Sequence, residues 1–125
     1  MWRSLAVTSA LTGVLTAGGQ WPAVRSVMQD KLTLSQQLLG DLVTNDWVGL
    51  ETHSRELEQL TRDPRWEVLK YPEYARHSDA FVRALRELRT AAVRRERDRV
   101  PKAFNTVVSQ CVECHQYLAR ARTTD

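Results

Sequence analysis

The stretch PKAFNTVVSQCVECHQYL, residues 101–118, decides how the chain reads as a fold. Phe104, Val107, Val108, Cys111, His115 and Leu118 recur in steps of three and four, so the spacing predicts a helix with these residues on its inner face. Pro101 suits the first helical position, where φ is preset and no backbone N–H is needed. Inside this predicted helix lies Cys111-Val112-Glu113-Cys114-His115, and its two cysteines are the only two in the chain.

Three more helices are predicted upstream. One begins between Pro72 and Ser78 and ends near Glu96, with Tyr74, His77, Phe81, Leu85, Leu88 and Ala92 as its stripe. Arg76, Arg83, Glu87 and Arg94 take the opposite side. Before it, Arg62 to Pro72 contains Asp63-Pro64 and Tyr71-Pro72, pairs that disfavour continuous helix. This is the long connection, and its Trp66 and Leu69 are expected to pack on the body of the protein. A helix over Trp47–Thr61 carries Trp47, Leu50, His53, Leu57 and Leu60 on one face. The first spans about Ala23 to Thr44, with Val24, Met28, Leu32, Ser35, Leu39 and Leu42 on one face and Val27, Leu34 and Leu38 widening it. Asn45 and Asp46 supply turn and N-cap chemistry between these two.

No segment alternates with a period of two, so no sheet is expected. The fold class is all-α, an antiparallel four-helix bundle. In an up-down-up-down arrangement the end of helix four lies beside the starts of helices one and three. Met28, His77, Phe81, Leu60 and Trp66 then become neighbours of His115.

The chain has 125 residues, one ordinary domain. Residues 1–20 differ in kind. Arg3 follows the start, an uncharged, mildly apolar run spans Leu5 to Ala17, and small residues follow, the layout of a secretory signal peptide. The run is too short and too rich in Ser, Thr and Gly to span a bilayer well. The expected mature domain is 21–125, exported and periplasmic, with no membrane span. Setting Arg3 aside leaves 17 basic residues against 15 acidic ones. They are interleaved, which reads as solvated helix surface rather than a nucleic-acid footprint.

The motif has a specific chemistry. Each thiol of a CxxCH can add to a haem vinyl group, and two intervening residues let both sulfurs reach the macrocycle edge. The next residue, His115, can then ligate the iron through its imidazole. A bare CxxC also marks zinc sites and redox dithiols. Zinc needs a further ligand, and His53 or His77 could supply one only without recognisable ligand spacing. A thioredoxin-like dithiol opens a helix after a strand, and none is predicted here. A structural disulfide within a helix has poor geometry and leaves His115 unexplained. The cofactor expected is one covalent haem c. No nucleophile–base pair or oxyanion arrangement points to an enzyme.

With signal peptide, four helices and a CxxCH in the last of them, the chain resembles the cytochrome c-prime family, including its low-spin relatives of the cytochrome c-556 type. Arg25-Ser26-Val27-Met28 is similar to the family's start of helix one, and Gln116-Tyr117-Leu118-Ala119-Arg120 to the residues after its motif. The resemblance implies that Met28 faces the iron on the side away from His115. It also implies a homodimer through helices one and two, although Gln36, Gln37, Glu51 and Arg55 make their outer sides only weakly apolar. The short tail and the Pro- and Trp-containing second connection depart from the family pattern.

The candidate site is therefore Cys111, Cys114, His115 and Met28, with His115 and Met28 as metal ligands. The expected function is one-electron transfer with a redox partner protein. The alternative is a five-coordinate haem that binds small gases (NO, CO), with Met28 lining the pocket. His77 is the next candidate for the sixth ligand, and His53 reads as a core or interface histidine. Arg94, Arg95, Arg97 and Arg99 read as solvated surface or as a docking patch for an acidic partner.

Overall fold

Two residues with positive φ, Asn45 (57°) and Arg95 (55°), mark where the chain reverses most tightly. At the first, the Asp46 N–H donates to the Asp41 carbonyl at 2.8 Å and the Asn45 N–H to that of Leu42 at 3.3 Å. At the second, the Glu96 N–H reaches the Ala91 carbonyl at 3.0 Å and the Arg95 N–H that of Ala92 at 3.0 Å. Both are Schellman closures, which satisfy carbonyls left over at a helix end. Asn tolerates the left-handed conformation, which explains why the first turn was legible; Arg95 carries no such signal.

The computed structural model describes residues 20–66 and 71–122. They form α1 (Gln20–Thr44), α2 (Trp47–Leu60), α3 (Pro72–Val93) and α4 (Arg99–Arg122). The all-α four-helix expectation is met, and no strand occurs among the described residues. The signal-peptide reading falls on residues outside that range, as does Leu69. No helix among the described residues is long and apolar enough to cross a membrane.

Local chemistry accounts for the boundaries. The Asp46 carboxylate accepts from the Gly49 N–H at 2.9 Å and caps α2. Pro72 is the first residue of α3, and Tyr71 before it is extended, as a residue preceding proline tends to be. α4 starts two residues ahead of Pro101, where the Val100 N–H bonds back to the Glu96 carbonyl.

Cross-links give the direction of each helix. Asp41 meets His53 while Ser26 meets Arg65; Glu58 meets Arg86 while Trp66 meets Ser78; Glu87 meets Arg99 while His77 meets Tyr117. In each pair one number falls as the other rises, so neighbouring helices run antiparallel. α1 packs on α2, α2 on α3 and α3 on α4, whereas α1 and α4 scarcely touch. The bundle is closed on three sides and has a seam along the fourth.

The helices are not of similar length. α2 has 14 residues against 22 to 25 for the others. The connection continues its path. Trp66 is buried, its indole N–H donates to Ser78 Oγ at 2.7 Å, and its carbonyl accepts from the Tyr74 hydroxyl at 2.6 Å. Arg65 ties the same turn to α1 through Ser26 Oγ at 2.8 Å and Asp30 at 3.3 Å. Leu60 packs on the core, and Trp66 takes the place beside the end of α4 that the sequence assigned to both.

The face that α1 turns inward also differs from the expected one. Val24, Val27, Lys31 and Leu38 are buried, while Leu32 and Leu39, read as part of the inner stripe, are 59% and 49% exposed. On α4, Val108 is 43% exposed although it too was expected inside. These residues border the seam or the outer surface, because α1 has α2 on one side and almost nothing of α4 on the other.

Candidate haem site

α4 is continuous through the motif, so Cys111 and Cys114 stand one turn apart. Both are free thiols and half-buried. Burial pushes the Cys114 thiol up from its ordinary value; nearby Lys31 opposes this and Cys111 adds to it. His115 is exposed and not on the inner face expected from its spacing. It lies at the seam, on the side of α4 that looks toward α1.

There it lines a cleft of about 680 Å³ together with Met28, Arg25, Tyr74, Leu118 and Ala119. The start of α1, the start of α3 and the end of α4 form its walls. Helix order brings them together: α1 and α3 begin at the end of the bundle where α4 finishes. Met28 is half-buried, so its thioether is accessible from the cleft. Below the cleft a narrow pocket is lined by Met28, Lys31, Trp66, His77, Phe81, Cys114 and His115. On the outer side of α4, Cys111, Val112 and His115 border a shallow depression. His115 is common to all three.

The interior of this region holds a residue that the sequence reading missed. Lys31 is 7% exposed, and its Nζ sits 3.8 Å from the centre of the Phe81 ring and 4.5 Å from that of Trp66. The two rings stack at 5.9 Å. Removal from water pushes the Lys31 ammonium below its ordinary value, partly offset by the two cysteine sulfurs. A signal did exist: residues 24, 27, 31, 34 and 38 follow a three-four register, and Lys31 falls on it. A lysine stem is apolar enough to occupy such a position.

Tyr74, at the base of the cleft, is buried. Desolvation, with a smaller contribution from Cys114, pushes its phenol up to about 12, so it stays protonated and keeps donating to the Trp66 carbonyl. His77 is also buried, with its ring 5.3 Å from that of Tyr117. His53 lies away from this site, on α2, with Nδ1 2.6 Å from Asp41. Arg94, Arg95 and Arg97 are exposed at the turn before α4, and Arg99 bonds Glu87 and Glu96. Sixteen residues of helix, about 24 Å, separate Arg99 from His115.

The residues fit a haem. An imidazole and a thioether border the cleft, while the Cys114 thiol lines the narrow pocket below it and Cys111 the outer depression, each beside His115; the cleft's volume falls in the range of about 300–1,000 Å³ usual for small-molecule and cofactor sites. Tyr74 and Leu118 give it apolar walls. A protein-only metal shell has less support: among the described residues no three His, Cys, Asp or Glu side chains converge to hold an ion. No family model, curated protein or solved structure matches the chain.

Proposed function

We propose that the chain is an exported monohaem c-type cytochrome that works in one-electron transfer, with His115 and Met28 as the residues that would hold the iron. One observation carries the proposal: Met28, far from the motif in sequence, borders the same cleft as His115. A covalently attached haem would supply an iron that moves between ferrous and ferric states, with no bond made to a substrate. The chain's own residues do the rest. Cys111 and Cys114 would hold the cofactor on α4 through thioether bonds. His115 offers an imidazole from α4, and Met28 a thioether from α1. Tyr74 and Leu118 keep water from the space between. A thioether ligand favours the ferrous state and so raises the potential. A redox partner docks most simply at the open end of the cleft, because the Arg94–Arg97 cluster stands at the far end of the bundle.

The seam also supports a second reading, in which Met28 only lines the pocket and small gases such as NO or CO bind the iron. The reduced protein separates the two. Haem staining after denaturing electrophoresis first establishes the covalent link. In the ferrous state the favoured reading predicts a six-coordinate, low-spin wild type that takes up CO slowly. Met28→Ala then becomes five-coordinate and binds CO readily. A wild type already high-spin and open to CO moves gas binding to first place. A homodimer through α1 and α2 belongs to the same proposal, supported by exposed Leu39, Val43 and Val48 on those helices. A monomer mass in sedimentation equilibrium at micromolar concentration would remove it.

A further inference from the structure

The two walls of the seam are bare of charge. Charged residues make up 26% of the chain, yet none occurs from Leu32 to Gly40 or from Ala103 to Val112. The antiparallel order sets these runs level with each other, because Lys31, just before the first, lines one pocket with Cys114, just after the second. The other boundaries of the bundle are tied by ion pairs: His53–Asp41 joins α1 to α2, Arg86–Glu58 joins α2 to α3, and Arg99–Glu87 joins α3 to α4.

These bare walls face water. Leu32 is 59% exposed, Val112 49% and Val108 43%. Neighbouring apolar side chains left in water gain by being covered, and such a patch marks a place where something docks. The nearest charges are turned away or lie past its ends. Glu113 feels Arg76 of α3, and Lys31 is buried under Trp66 and Phe81. Arg25 and Arg120 lie beyond one end of the patch and Lys102 beyond the other. The patch runs into the depression bordered by Cys111, Val112 and His115. Val112 is three residues from His115, about 4.5 Å along the helix axis, whereas Arg99 is about 24 Å away. Electron exchange weakens steeply with distance, so a partner on the bare face is well placed and one at the Arg94–Arg97 turn is not.

We propose, on the footing of the electron-transfer reading above, that the face formed by Leu32, Val108 and Val112 docks the redox partner, and that the partner's own docking face is apolar and uncharged. Complementarity of charge selects this occupant. A charged face would give up its hydration against these walls and find no opposite charge there. An uncharged face gives up nothing and covers apolar surface on both sides. Encounter of this kind is not steered by a long-range field, so its rate depends only weakly on salt. One electron passes between the partner's redox centre and this chain's, and no proton or covalent bond changes hands.

The test is stopped-flow electron exchange between holoprotein and a probe, a blue-copper protein whose copper edge is ringed by apolar, uncharged residues. The second-order rate constant of wild type should change by less than about twofold between about 0.01 M and about 1 M salt, over which the screening length falls from about 30 Å to about 3 Å. Leu32→Glu, Leu32→Lys, Val108→Glu and Val108→Lys should each lower it about tenfold at either salt, whatever the sign of the new charge. Their haem content, optical spectra, potentials and melting temperatures should match wild type, which separates lost docking from lost folding. Arg95→Glu should leave the rate unchanged. A rate that none of the four seam variants alters overturns the proposal. A wild-type rate that falls more than about tenfold with salt and is lost in Arg95→Glu also overturns it, because docking then lies at the basic turn. So does a wild-type dimer, seen by sedimentation at micromolar concentration, that Leu32→Glu splits, because the face then belongs to a second copy. Each of these results leaves the haem reading intact, whereas a chain without covalent haem overturns that reading before any rate is measured.

Discussion

The α2–α3 interface and the α1–α4 seam each hide one charged side chain, and they do so by opposite means. Glu58 on α2 is 5% exposed and Lys31 on α1 is 7% exposed. Glu58 is met by charge: Arg89 at 2.6 Å and Arg86 at 2.8 Å from α3, with Arg62 at 3.6 Å. Burial pushes its carboxyl up, but the hydrogen bonds from Arg86 and Arg89 more than offset this and hold it below the ordinary carboxylate range. Lys31 is met by ring faces, and burial pushes its ammonium down. The first charge is matched within the fold and serves stability. The second is matched only by ring faces, in a narrow pocket that Met28, Cys114 and His115 also line.

The largest way to break that contrast is to remove the cofactor. If the seam is built around haem, protein made without a haem-attachment system, or as His115→Ala, is the weaker form. A group that finds its ligands and packing only in the folded state stabilises that state relative to the unfolded one. Thermal melts should therefore show a large downward shift and a broader transition in haem-free protein. Equal midpoints for the two forms would mean that the seam is an ordinary surface groove.

Next in size is the paired carboxylate. Glu58→Gln should cost about 1–3 kcal/mol at neutral pH by replacing charge-assisted bonds with weaker ones. The pH dependence has a definite sign. A carboxyl held below its unfolded value adds stability that is full above the ordinary carboxylate range and lost as pH falls through the folded value. Urea titrations should show wild type losing stability in acid and Glu58→Gln losing less. Lys31→Met sharpens the comparison, because it removes a buried charge that has no opposite partner among the described residues. In haem-free protein it should change stability by less than about 1 kcal/mol, or raise it. A loss as large as that of Glu58→Gln would show that the two charges have the same role.

The smallest effect lies at the turn before α4. Arg95 holds φ 55° without the freedom of glycine. Arg95→Gly should gain about 0.5–1 kcal/mol, visible as a small rise in melting temperature. Asn45→Gly should gain less, since Asn already tolerates that conformation.

Much of the architecture was present in the one-dimensional pattern. Apolar steps of three and four, Asp46 before α2 and Pro72 before α3 specify four helices, because period and capping are local properties of the backbone. The CxxCH chemistry is equally local, since five consecutive residues hold both thiols and the imidazole. Local periodicity also identifies an apolar side on each helix, but it does not identify the neighbour against which that side turns. Tertiary packing rotated α1 so that Leu32 and Leu39 reach solvent while Lys31 goes inside. It left α1 and α4 apart, so His115 stands at an exposed seam and not in the core. It set Trp66 on the pocket beside the end of α4, while Leu60 packs against the core. The sequence alone could not assign Lys31 to the interior, because a charged amine is excluded from a core unless something there receives it. Its receivers, the rings of Trp66 and Phe81, come from a distant turn and a different helix and meet Lys31 only once the chain has folded.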